Sequence, residues 1–295
     1  RTWLFFEQFV GPEDHWLPPD HFQEAPRGAA RVAHSTSPTD LGLLLLSTLA
    51  AYDLGYIGLW DLSARLRDTF ESMEQLEIYQ GHFLNWYDTR SLEPLLPRYV
   101  STVDSGNLVA CLRTLWQGCQ TLPHQPVLRW QNWEGLLDTV SLLDEIMNDL
   151  QAAGLKLAVT TLQAHLAQMR QQVLAAKDDP GAWMLLLNRL IGASRQELNQ
   201  LLMSLVESNA PAIGAETLRR LSLASDQVQN HLYGMRREIE QLSPWLLLLS
   251  QPPALFVRSD APSVVRDAWK ALRDTLPTAP RLEELDQVCK AGLAR

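Results

Sequence analysis

Residues 13–24 read Glu13-Asp14-His15-Trp16-Leu17-Pro18-Pro19-Asp20-His21-Phe22-Gln23-Glu24, with four carboxylates, two imidazoles and two aromatic rings around a Pro-Pro pair. Three chemistries compete for that composition. The ligand types would suit a metal, but their spacing matches no helical or zinc-ribbon pattern. A solvated acidic loop would account for the carboxylates alone. A sugar-binding loop accounts for both sets: Trp16 would stack on the C–H face of a pyranose while Glu13, Asp14, Asp20, Gln23 and Glu24 bond its hydroxyl rim. A second group, Gly81-His82-Phe83-Leu84-Asn85-Trp86-Tyr87-Asp88-Thr89, sets Asn85, Trp86, Tyr87 and Asp88 side by side. That is a binding-loop composition, although Phe83 and Trp86 would equally suit a core between helices. A third, Val103-Asp104-Ser105-Gly106-Asn107, offers Asp104 and Ser105, which a helix N-cap explains as readily as a ligand does.

Other chemistries lack their residues. The sequence has no G-x-G-x-x-G, P-loop, G-x-S-x-G or H-E-x-x-H motif. His165 and His231 stand alone on helical stretches and read as structural. Cys111, Cys119 and Cys289 are odd in number and form no C-x-x-C pair, so they are expected to be reduced, buried thiols. With 25 basic residues against 34 acidic ones, the net charge of −9 speaks against a nucleic-acid partner, which would require a basic face. The most apolar stretch, residues 41–51, is about half the length needed to span a bilayer. A chain without a signal peptide that opens on Arg1 reads as a soluble piece of a longer protein.

The elements that must position these groups are helices. An apolar content of 46% with leucine prevailing indicates an all-α protein with a continuous core. Seven of the ten Trp, six of the seven Phe and five of the six Tyr precede residue 134, which divides the chain into an aromatic, loop-rich part, 1–133, and a leucine-rich helical part, 134–295. Ser37 suits an N-cap, Pro38 the first helical position and Asp40 the first turn of a helix that is apolar on every face over 41–51. Its successor near 61–77 carries one stripe, Leu62, Leu66, Phe70, Met73 and Leu76. A fully buried helix followed by an amphipathic one is the pattern of inner and outer layers in a helical toroid. Residues 81–103 should be irregular, with Tyr99-Val100-Ser101 extended, before a helix capped by Asp104-Ser105. Further helices are expected around 136–150 and near 155–177, 182–208, 214–242 and 263–294.

The stretches Arg1-Thr2-Trp3 through Phe9, Glu13 to Glu24, Ala33-His34 with Thr36-Ser37-Pro38-Thr39, Gly81 to Arg90 and Pro97 to Leu108 resemble, in order and spacing, an interior region of the cyclic β-1,2-glucan synthases. The resemblance is dense over residues 1–118 and generic beyond. It implies an incomplete (α/α)6 toroid of antiparallel helix pairs with long loops in the first third. It also implies a retaining transglycosylase role, in which a linear β-1,2-glucan is closed into a ring. Implied partners are that glucan and, in the same polypeptide, a membrane-bound glycosyltransferase and a phosphorylase-like domain at the cytoplasmic face of a bacterial inner membrane. No metal and no cofactor are implied. The matching loops would line the glucan cleft and add His34 to the binding residues. The sequence departs from the family at His21 and Asp40, where Asn is expected, and at Ser35, where Arg is expected. The family's later motifs, rich in Phe-Glu and Ser-Glu-Ser, are absent, so the catalytic carboxylates are expected outside residues 1–295. A non-catalytic glucan-binding domain and a helical scaffold domain are the alternatives.

Overall fold

The computed structural model describes residues 2–24, 30–209, 213–258 and 260–293; Arg1 lies outside them. Among these residues the protein is all-α, its strands being two-residue ladders. It divides into two compact units, Arg1–Asp53 with Leu59–Leu122, and Leu54–Gly58 with Pro123–Arg295.

The first unit opens with α1 (Thr2–Phe9) and a 3-10 turn, Pro12–Asp14. Strands β1 (Phe22–Gln23) and β2 (Arg31–Val32) pair antiparallel, Phe22 opposite Val32. Strand β3 (Ser35–Thr36) leads into α2 (Pro38–Asp53), followed by α3 (Leu59–Met73). A hairpin of β4 (Ile78–Tyr79) and β5 (His82–Phe83) comes next, then β6 (Tyr87–Asp88), which pairs with β3 so that Ser35 faces Asp88. Helix α4 (Thr102–Cys119) ends the unit and packs along α2.

The start of α2 follows from its residues. Asp40 N–H donates to Ser37 Oγ (3.2 Å) and Ser37 N–H donates to an Asp40 oxygen (3.0 Å), so each satisfies a main-chain donor that the first turn leaves open. Leu41, Leu44, Leu45 and Leu49 are buried, but Leu43 is 49% exposed, so α2 is not apolar-buried on every face as expected. Its buried residues face α1, α3 and α4, and those neighbours leave the side that carries Leu43 uncovered. In α3 the anticipated stripe turns inward, with Leu62 and Met73 buried and Leu66 and Phe70 packed on the core; Leu76 is buried just past the helix end. Helix α4 begins a turn earlier than expected. Ser101, at extended angles, is the N-cap, its side chain accepting from Asp104 N–H, which places Asp104 and Ser105 inside the first turns. Tyr99 and Val100 form no strand.

The second unit comprises the loop 54–58 and the helices α5 (Trp130–Ala152), α6 (Lys156–Ala175), α7 (Trp183–Arg189), α8 (Arg195–Asn209), α9 (Ala215–Leu242), α10 (Trp245–Ser250), α11 (Ala254–Val257), α12 (Ser263–Thr275) and α13 (Leu285–Leu293). A π-helical segment, Leu190–Ser194, joins α7 to α8. The expected helix 263–294 is interrupted because Pro277 and Pro280 cannot continue a helical ladder. Helix α5 packs against α6 and α9, burying Trp133, Leu136, Val140, Leu143, Ile146, Met147 and Leu150. Gly55 sits at φ +78°, and a Cβ there would lie 1.9 Å from Gln131 O, so the loop meets α5 at a distance that only glycine allows. His231 donates from Nε2 to Asn132 O (2.7 Å), and His165 Nε2 pairs with Ser194 O (3.0 Å), the structural roles expected of both. The cysteines are free, but they are not the buried thiols expected: Cys111 and Cys119 are half-buried and Cys289 is exposed.

Candidate functional site

Two clusters in the first unit gather most of the anticipated binding residues. The first joins the starts of α2 and α4. Asp104 Oδ1 accepts from Thr39 Oγ1 (2.5 Å), and Thr39 Oγ1 accepts in turn from Asn107 Nδ2 (3.0 Å). The buried Asn85 donates from its amide nitrogen to Asp104 Oδ2 (2.8 Å), while its amide oxygen accepts from Tyr99 O–H (2.8 Å) and from Trp86 Nε1 (2.7 Å). Both Asp104 oxygens are therefore engaged, and the Trp86 ring is half-buried with its indole N–H fixed. Burial pushes the Asp40 carboxyl up, the charges of Asp20 and Asp104 add to this, and hydrogen bonds from Ser37 oppose it. Asp20 and Asp104 thus both stand near enough to Asp40 for their charges to oppose its own. Ser105 Oγ is buried without a hydrogen-bond partner among the described residues.

The second cluster centres on Asp14, which is 7% exposed at the end of the 3-10 turn. Its Oδ1 accepts from Thr89 Oγ1 (2.5 Å) and His34 Nδ1 (2.8 Å). An Arg90 Nη lies 2.9 Å from His34 Nε2. A guanidinium can only donate, so His34 accepts at Nε2 and donates at Nδ1, which fixes a neutral tautomer. His15 Nδ1 pairs with Thr89 O (2.9 Å). His15 and Trp16 both take left-handed angles, φ 53° and 57°, a conformation that costs about 1–3 kcal/mol for a residue with a side chain and needs firm support. Main-chain N–H groups of Ser91 and Arg90 hold Asp88 below the usual carboxylate value, the Ser91 hydroxyl and the Arg90 charge adding to this against partial burial.

The remaining expected residues divide. Tyr87 is fully buried, its hydroxyl donating to Glu77 O (2.6 Å) and accepting from Leu84 N–H (2.6 Å); it supports the loop from the core rather than lining its surface. Trp16 packs against a small cluster of Phe6, Val10 and Leu44, so one side of its ring belongs to the core. Asp20 pairs with His21 (2.6 Å), and Glu13, Gln23 and Glu24 are exposed. Sequence reasoning passed over Thr39, Thr89, Arg90, Tyr99 and Asn107. All five lie in the quoted stretches and could have been found there, but Thr39 is bonded across 65 positions, and nothing local names its partner. Among the described residues no group of three or more His, Cys, Asp or Glu could hold a metal ion, and no helix is long and apolar enough to cross a membrane.

The fold and these clusters define an all-α chain whose short loops carry carboxylate, amide and indole groups locked into hydrogen-bond networks. No family model matches it. Over 151 residues, 51% of the chain, it is 43% identical to the cyclic beta-(1,2)-glucan synthase NdvB of Rhizobium meliloti (strain 1021). The matched stretch is 5% of that protein, so the chain spans only a small part of the length of its relative.

Proposed function

We infer that the chain is a glucan-binding part of a larger cyclic β-1,2-glucan synthase. The 43% identity to a protein of that name carries the reading. The Trp86–Asn85–Asp104 cluster supports it, because a half-buried indole beside fixed polar groups matches a sugar, with its apolar C–H face and hydroxyl rim. Linear β-1,2-glucan would lie over this cluster, within helices that belong to an (α/α)6 toroid. Ring closure by retaining transglycosylation needs a nucleophilic carboxylate about 5–5.5 Å from an acid. Asp104 has both oxygens engaged, which suits holding substrate better than attacking it. The acid pair is therefore assigned to the rest of the synthase, which would also supply the membrane-bound glycosyltransferase and phosphorylase-like domains at the cytoplasmic face of the inner membrane. Affinity chromatography tests the reading. The chain should be retained on immobilised linear β-1,2-glucan and pass through immobilised β-1,4-glucan; equal retention on both, or none on either, would contradict it.

A further inference from the structure

A cleft of about 570 Å³ opens in the first unit where β1, β2 and β3 approach the turn after β6; its lining includes His21, Gln23, Arg31, His34, Asp88 and Arg90. The carboxylates around it are already occupied. Asp14 accepts from Thr89 and His34, Asp20 pairs with His21, and Asp88 accepts from Ser91 and from the Arg90 main chain. The guanidinium groups are less committed. Arg90 gives one Nη to His34, and its Nε stands 3.9 Å from Asp14. The Arg31 side chain, on a residue whose main chain pairs with Gln23, has no hydrogen bond or ion pair among the described residues. A guanidinium is a planar fork of N–H donors that matches a carboxylate, sulfate or phosphate group two bonds at a time. The lining holds no Trp, Tyr or Phe, so the cleft lacks the broad apolar platform that suits a pyranose face and differs in chemistry from the Trp86 cluster.

We propose that this cleft binds an oxyanion, carboxylate, sulfate or phosphate, between the guanidinium groups of Arg31 and Arg90. The assignment stands on the cleft alone and goes beyond the glucan reading. His34 sets the position of Arg90, since its Nε2 accepts from the guanidinium while Nδ1 is tied to the buried Asp14.

Titration calorimetry at constant ionic strength in chloride tests the proposal, with sulfate, acetate and glucuronate as probes. The native chain should bind sulfate, Arg31→Ala should weaken that binding about tenfold, and Arg31→Ala with Arg90→Ala should abolish it. Arg31→Lys should restore only part of the affinity, because a point charge lacks the fork. Circular dichroism melts confirm that each variant is folded. Glucuronate bound more tightly than acetate would put the anion on a sugar, and equal binding would make it a free ion; either upholds the site. Equal sulfate affinity in the native chain and the folded double variant would overturn it. Neutral β-1,2-glucan run in parallel should bind Arg31→Ala as it binds the native chain, which keeps a failure of the anion site distinct from a failure of the glucan reading.

Discussion

Trp16 and Trp86 are both half-buried, yet their surroundings divide their work. Trp16 lies on Phe6, Val10 and Leu44 and follows a left-handed His15, so its ring braces the 3-10 turn that presents Asp14. Trp86 is tied by its indole N–H to Asn85 and is left as the aromatic surface of the Asp104 cluster. Composition identified both rings as candidates but could not separate them, because each role depends on neighbours from other elements. His231 poses a different problem, that of burial. Desolvation lowers its imidazole from 6.5 to about 4, outweighing the hydrogen bond to Asn132 O. The unfolded chain then takes up this proton more readily than the folded one. The stability gained from the neutral ring is complete above about pH 6.5 and is lost as pH falls through about 4. The full loss is roughly 3 kcal/mol. His231→Gln keeps an N–H for Asn132 O without a titrating ring. Denaturant unfolding at pH 7 and pH 4 should therefore show a smaller acid loss in the variant than in the native chain; equal losses would mean that this ring is not the source.

Among the elements, the contact between α2 and α4 matters most to the site, because Thr39 on one helix bonds Asp104 on the other. Gly42 sets the spacing. A Cβ at that position would meet Cys111 Sγ at 2.9 Å and Cys111 Cβ at 3.0 Å. Gly42→Val should force the helices apart and cost about 1–3 kcal/mol by overpacking, measured as a lower denaturation midpoint. Glucan binding should fall with it, since the Thr39–Asp104 bond lies on the same contact; an unchanged midpoint would show that the helices tolerate the extra bulk. These helices were legible in the sequence wherever periodicity and caps agreed. Ser37, Pro38 and Asp40 announced the start of α2, and the spacing from Leu136 to Leu150 announced α5. The start of α4 was misplaced because Asp104 and Ser105 can both cap, and only the extended angles of Ser101 decide between candidates. Leu43 could not be foreseen as exposed, since an apolar run does not say which of its faces lacks a neighbour.

For the whole molecule, each unit has its own apolar core, one built on Leu41, Leu45, Met73 and Tyr87 and the other on α5 with its neighbouring helices. The acidic net charge of −9 and the polar, aromatic-flanked loops suit a neutral polyhydroxylated ligand better than a polyanion. The Arg31–Arg90 cleft is a local exception to that balance. Sequence motifs marked the candidate loops, all within the first unit, but not the pairings inside them. Asp14 with Thr89 and Thr39 with Asp104 are separated by 75 and 65 positions, and only the folded chain brings them together. Titration calorimetry of a linear β-1,2-glucooligosaccharide into the native chain and into Trp86→Ala, with both melts recorded, tests the central claim most directly. We predict binding by the native chain and a Kd raised about fivefold in the variant, as expected for the loss of one aromatic contact of about 1 kcal/mol. No binding by the folded native chain, or the same Kd in the folded variant, would contradict the assignment of a glucan site to Trp86 and its neighbours.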